Sequence, residues 1–296
     1  MKKILIILIP LAGLLCAFDN DLIRYKESIA NFYYDFLDSS TSFLYDKSNI
    51  DYIKKHNHLR LYINTSIDKN RKVKISPSLR ANIKLPKISK NLFLTIEKKS
   101  KVSDNPNEIK TLSTEESKSS RVGLKYFLKR NDDLSIYAKL GGRPTKSLNK
   151  IYIQGSIEKI YKYEKHYFFA YLHQDYYFKN KILVSSLGLD YRQKLDKKFS
   201  FIQNNNLTME DKQKTTLTNS FIIEQYISKK VNLSYWTTLY SIKNNHFKLN
   251  SISYNFKYHR ALKKWLFIDI IPSLVKNFNQ NHNYDKYLYI NFGMIF

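Results

Sequence analysis

From about residue 58 to its last residue this chain alternates apolar and polar positions with a period of two. In VKISPSLRANIKLP the residues Val73, Ile75, Pro77, Leu79, Ala81, Ile83 and Leu85 fall between Lys74, Ser76, Ser78, Arg80, Asn82 and Lys84. Period two places alternate side chains on opposite faces of a strand. A globular strand usually has about five or six residues, whereas a tilted strand crossing a bilayer needs about nine to eleven. The same alternation recurs at Leu59 to Ile63, Leu92 to Ile96, Val122 to Leu128 and Leu134 to Leu140. Less regular runs cover 151–163, 166–178, 198–207 and 216–227, and clearer ones follow at Leu183 to Tyr191, Val231 to Leu239, Ile252 to Tyr258 and Leu266 to Leu274. The last is YLYINFGMIF, Tyr287 to Phe296. The pattern predicts about fourteen strands, with twelve as the lower count.

Before this region the period is 3.6. Leu22, Tyr25, Ile29, Phe32, Tyr33 and Phe36 recur at steps of three and four behind Asp19 to Asp21, which predicts one short amphipathic helix with an N-cap. Earlier still, Lys2 and Lys3 precede an apolar run from Ile4 to Leu15 and small residues, the layout of a secretory signal peptide with cleavage after Ala17. Cys16 in GLLC is similar to a lipoprotein box, except that Leu15 stands where a small residue belongs. The expected organisation is a signal peptide over 1–17, a periplasmic helical segment over 18–56 and a β-domain over 57–296. Without Cys16 the mature chain has no cysteine, so disulfides do not hold the fold.

The strand connections also alternate. KRNDD, YKYEK, KLDKK, ISKKV and HRALKK are short, while 99–120, 141–150, 208–216 and 277–286 run longer on average. Short turns on the periplasmic side and longer loops outside are a property of outer-membrane barrels, and an even strand count puts both termini at one rim. With no span-length apolar run, such a meander satisfies its backbone in lipid only by closing on itself. The expected fold is therefore all-β, an antiparallel up-and-down transmembrane β-barrel. A soluble sandwich or lipocalin-like barrel also fits the alternation; strand length, loop asymmetry and the 24 Tyr and 18 Phe available for interfacial girdles favour the membrane.

The terminal YLYINFGMIF, with Leu288, Ile290, Phe292, Met294 and Phe296 alternating and Gly293 between them, looks like the C-terminal strand signature of Gram-negative outer-membrane β-barrel proteins. The resemblance implies insertion by the barrel-assembly machinery and residence in the outer membrane of a Gram-negative bacterium. The first hairpin, residues 59–99 with its KLPKISKNLFL turn, resembles the start of a family of uncharacterised proteobacterial outer-membrane proteins. That resemblance implies no activity.

Charge sharpens this picture. The net charge is +25, from 50 Lys and Arg against 25 Asp and Glu, but the lysines are spread along the chain without a nucleic-acid-binding motif, so nucleic acid is not an expected partner. Membrane lipid and lipopolysaccharide phosphates are. No His is followed two positions later by Ser, the pair that barrel phospholipases and deacylases resemble one another in, and HQD at 173–175 is the only His–carboxylate pairing of interest. His56 and His58 supply at most two metal ligands. No enzyme activity, cofactor or metal is expected. If apolar rows face lipid, the lumen receives Arg60, Lys74, Arg80, Lys84, Lys125, Lys129, Lys139, Arg192 and Lys257, with Glu97, Asp190, Glu224 and Asp269 as partial counterions. Basic lumens favour anions. The expected function is a porin-like passive channel for small, anion-leaning solutes; the alternative is a non-conducting structural or adhesive barrel.

Overall fold

Fourteen antiparallel strands close into one barrel. The computed structural model describes residues 58–295, except 69, 71, 86–87, 99–119, 143–150, 180, 212–214, 244 and 280–283, together with Arg24, Glu27, Ser28 and Asn31. The strands are β1 (His58–Ile67), β2 (Val73–Lys84), β3 (Leu92–Lys98), β4 (Ser120–Arg130), β5 (Leu134–Gly142), β6 (Ile151–Tyr163) and β7 (His166–Tyr177). They continue as β8 (Ile182–Lys194), β9 (Phe199–Glu210), β10 (Thr215–Ser228), β11 (Val231–Lys243), β12 (Phe247–Ala261), β13 (Leu266–Asn277) and β14 (Tyr284–Ile295). Each strand pairs with its neighbours in sequence, and β1 pairs with β14 from Arg60↔Ile295 to Ile67↔Leu288. Closure leaves no open edge, which is the condition for a sheet in hydrocarbon. Thirteen of the fourteen strands match or exceed the length of about nine to eleven residues that a membrane-crossing strand needs, and only β3, at 7 residues, is shorter.

The cross-strand register assigns every residue to one of two faces, because directly paired residues point the same way. On one face Arg60, Arg80, Glu97 and Arg121 pair in succession, as do Gly123, Gly141, Tyr152 and Tyr177, and Ser273 with Tyr287 and Asp269 with Asn291 belong to the same face. This inner face holds buried polar residues such as Asn64, Ser78, Thr95, Ser220, Ser234, Asn255, Asp269 and Asn291. The other face carries Ile75, Leu124, Leu140, Ile153, Leu172, Leu187, Ile223 and Tyr235, all exposed large apolar side chains. A soluble barrel has the reverse polarity. Apolar-out and polar-in is the arrangement of a membrane barrel.

The start of β1 and the end of β14 lie at one rim, here called the terminal rim. Its connections (85–91, 131–133, 164–165, 195–198, 229–230 and 262–265) are short. On the far rim, 99–119 and 143–150 are long, but 68–72, 178–181, 211–214 and 244–246 are not. The expected loop at 208–216 shrinks to four residues, because β9 runs to Glu210 and β10 starts at Thr215. The Thr-rich flanks pair across the hairpin, as in Thr216↔Thr208, and so extend the sheet. Arg24, Glu27, Ser28 and Asn31 are helical and exposed, while the apolar positions of the amphipathic helix expected there lie outside the described residues. The signal peptide, Cys16, His56 and Phe296 lie outside the described residues.

Three lumen-facing glycines make room for aromatic rings from the adjacent strand. A Cβ on Gly141 would meet the Tyr152 ring at 2.7 Å, on Gly188 the Tyr171 ring at 2.0 Å, and on Gly293 the Phe267 ring at 2.1 Å. Each pair is directly opposed in register: Gly141↔Tyr152, Gly188↔Tyr171 and Gly293↔Phe267. The ring lies over the glycine and restores the packing that its missing side chain removes.

Candidate functional site

The lumen wall is not uniform around its circumference. On β1–β5 the inward rows hold Arg60, Lys74, Arg80, Lys84, Arg121, Lys125, Arg130 and Lys139 against one acid, Glu97. On β6–β14 they hold Glu158, Asp175, Asp190, Glu210, Glu224, Asp269 and Asp285 against Lys162, Arg192, Lys194, Lys248 and Lys257. Cations thus predominate on one contiguous wall, and acids slightly on the remainder. The inward face thus carries a charge asymmetry around its circumference as well as a net positive charge.

Eight of the nine basic residues expected in the lumen occupy inward rows. Lys129 does not. A register shift between Phe127 and Lys129 inserts one residue into β4, so Lys129 stands opposite Ile136 in the outward row, and Arg130 stands opposite Ser135 in the inward one. A β-bulge inverts the alternation beyond it, which a simple count of two cannot anticipate. The bulge brings Arg130 onto the wall in place of Lys129.

Aromatic rings hold the cations of this wall. The Lys125 Nζ lies 3.4 Å from the centroid of the Tyr137 ring and 4.5 Å from that of Phe127. The Arg130 guanidinium lies 4.8 Å from Phe127 and 5.6 Å from Phe93, and the Lys84 Nζ 5.9 Å from Phe93. Phe93, Phe127 and Tyr137 are buried and meet edge to face, with centroids 5.4 and 5.5 Å apart. Cations are attracted to ring faces, so this ladder fixes them without neutralising their charge. Among the described residues no carboxylate lies within 4.0 Å of Lys125 or Arg130.

Deeper along the same wall the cations are paired. Lys139, only 6% exposed, lies 3.3 Å from the Glu97 carboxylate. Arg121 lies 3.9 Å from the Asp175 carboxylate, donates to the Tyr177 hydroxyl at 3.2 Å, and sits 5.4 Å over the Tyr152 ring. Desolvated cations need such partners. Elsewhere Arg192 reaches Glu224 at 3.6 Å, and His259 meets Asp269 at 2.6 Å. Lys257, Arg60, Lys74 and Arg80 lie in inward rows too.

Part of the remaining wall, on β10–β13, is rich in amides and hydroxyls. Ser220 and Thr238 are 2.9 Å apart, Asn255 donates to Ser253 at 3.0 Å, and Ser273 donates to Asn255 at 2.5 Å. Beside them Ile202, Ile222, Trp236 and Ile271 form a buried apolar cluster with Tyr289 packed on it, all pointing inward. Period-two reading gave no sign that the lumen contains an apolar patch.

His173, singled out beside Asp175, pairs in register with Ser156, and its Nδ1 lies 2.6 Å from the Ser156 hydroxyl. The Ser156 partner is not legible from spacing within one strand. The ring lies 4.7 Å from Tyr171 and 6.4 Å from Tyr137, and Asp175 is engaged with Arg121. No carboxylate is within 4.0 Å of His173 among the described residues, so the nucleophile–base–acid constellation is incomplete. The described residues hold no group of three metal-ligating side chains.

With this geometry in place, comparison with solved structures fixes the fold. OmpT, an outer membrane protein of Vibrio cholerae, superposes in its loop L8 deletion form with a TM-score of 0.51 at 8% identity, over 81% of this chain and 98% of that one. The fold is that of an outer-membrane β-barrel. The outer-membrane expressed form of the same protein gives a TM-score of 0.51 at 7% identity, over 81% and 97%. The NanC porin covers 79% of this chain and 98% of its own at 8% identity, with a TM-score of 0.43. No protein-family model and no curated protein matches the chain. At such low identity the likeness concerns the barrel alone.

Proposed function

We propose that this chain resides in the outer membrane and acts as a passive, porin-like channel for small solutes, with a preference for anions. One observation carries the reading: eight cations against one acid on the inward rows of β1–β5, with Lys125 and Arg130 held over rings and, among the described residues, with no carboxylate within 4.0 Å. Basic side chains lining a water-filled lumen lower the barrier for anions and raise it for cations. The amide and hydroxyl wall supplies neutral hydrogen-bonding partners for the rest of a solute. The reading includes no catalytic step, cofactor or metal.

In this reading the terminal rim faces the periplasm. The outward row of β14, Leu288, Ile290, Phe292 and Met294, together with Gly293 and Phe296, serves as the recognition strand for the barrel-assembly machinery. Lysines near the far rim pair with lipopolysaccharide phosphates. The second reading, a non-conducting barrel with loops that carry an interaction, draws support from the inward apolar cluster of Ile202, Ile222, Trp236 and Ile271, which narrows the wettable perimeter. Planar-bilayer recording separates the two. Stepwise conductance from purified protein that migrates faster unboiled than boiled is the expected result, and heat-modifiable protein that passes no current overturns the channel reading.

A further inference from the structure

The outward face of the barrel is exposed in most places and buried in one. At the far-rim end of β2, Ile75 is 68% exposed, yet Ile83 near the other end of the same outward row is 2% exposed. Leu59 on β1, Ala81 on β2, and Leu266 and Ile268 on β13 are likewise buried, although all four belong to the outward rows. Further along β13, Leu274 is 42% exposed again. The buried zone is thus local: the terminal-rim ends of β13, β1 and β2, on either side of β14, whose outward Phe292 and Met294 are half-buried, with Leu85 just beyond β2 buried too and Leu92, Leu94 and Ile96 of β3 packed against this cluster.

Neighbours within a sheet do not bury a side chain on its convex face, as Leu124, Ile153 and Leu187 on the same face demonstrate by their exposure. A second layer is required. Segments 99–119, 143–150, 212–214 and 280–283 leave from the far rim, and the turn holding 86–87 is too short to reach across four strands. What enters at this rim is the chain preceding His58.

That chain contains a stripe of suitable chemistry. Arg24, Glu27, Ser28 and Asn31 are helical, exposed and spaced by three and four, so they form one solvent-facing side. At about 100° per residue, Leu22, Tyr25, Ile29, Phe32, Tyr33 and Phe36 fall on roughly the opposite side. Residues 37–57 can extend about 3.3–3.6 Å each, ample to lead from this helix to β1. We propose that the amphipathic stretch 22–36 docks on the outer wall over the β1–β14 seam at the terminal rim, so that protein rather than lipid covers Leu59, Ala81, Ile83, Leu266 and Ile268. The seam is where the first and last strands meet, and the docked stretch braces it from outside.

The proposal rests on membrane insertion and is independent of whether the barrel conducts. Full-length protein carrying Ile75→Cys or Ile83→Cys, each labelled with an environment-sensitive fluorophore, is reconstituted in vesicles doped with nitroxide-labelled phospholipid. Lipid nitroxide quenches position 75 and leaves position 83 several-fold less quenched. Adding Ile29→Asp and Phe32→Asp, or Ile29→Ala and Phe32→Ala should the charged pair fail to fold, restores quenching at 83 without changing 75. Equal quenching at both positions in the unsubstituted stretch overturns the proposal. So does shielding of 83 that survives both substitutions, or that disappears on dilution with excess lipid, which marks a second copy as the cover. Absence of quenching at 75 instead contradicts the membrane reading itself.

Discussion

At Gly188 and Gly293 a hydrogen atom is all that separates the backbone from the ring of the facing residue. Tyr171 and Phe267 occupy the volume of the missing side chain, and Tyr171 is in turn packed 4.7 Å from His173 and 5.6 Å from Phe169. Gly188→Ala and Gly293→Ala are each expected to destabilise the folded barrel by about 1–3 kcal/mol, the usual cost of overpacking, read as a lower urea midpoint. Gly155→Ala, where a Cβ meets nothing within 4 Å, is the matched control and shifts the midpoint little or upward. Gly293 was legible in the sequence as part of a terminal signature. Its local reason, the Phe267 ring, was not, because that partner lies on another strand and is known only once the register is. The same holds for Ser156 and His173: side-chain parity is a one-strand property, whereas a hydrogen-bonded pair is a two-strand property.

At the scale of the element, alternation sufficed for the inward or outward assignment of nearly every strand, since a period of two tolerates no ambiguity so long as the strand is regular. It failed where β4 bulges. The prediction that follows is specific: Lys129→Gln leaves ion selectivity unchanged within error, whereas Arg130→Gln, one residue on, lowers the anion preference measurably in the same recordings. Sequence-based counting predicts the opposite order. Acids on β6, β7, β9 and β14 were also missed, because those strands read less cleanly or carry the acid near an end, as with Glu210 and Asp285. Loop asymmetry was legible on average, yet it rests mainly on 99–119 and 143–150. Strand ends near 208–216 resemble loop in sequence because Thr and charged residues occur in both settings. Paired across a hairpin, threonine's branched side chain suits the sheet.

For the whole molecule, closure was predictable from physics rather than from any residue, since an up-and-down meander of lipid-facing strands has no other way to satisfy its edges. Folded protein in mild detergent is expected to migrate ahead of its boiled form on electrophoresis; equal mobility would mark a fold that ordinary detergent unfolds. What only the assembled barrel displays is the lateral polarisation of its lumen, with β1–β5 basic and the remaining circumference slightly acidic and rich in amides. Neutralising the exposed part of the basic wall should therefore change selectivity more than stability, and Lys125→Gln with Arg130→Gln is the informative pair because neither holds a salt bridge within 4.0 Å among the described residues. The most direct test of the account is the zero-current potential of the reconstituted protein across a KCl gradient. The account predicts the sign of an anion-preferring channel, moving toward zero in the Lys125→Gln and Arg130→Gln double variant. A potential of cation-preferring sign, or one that the double substitution leaves where it was, would contradict it.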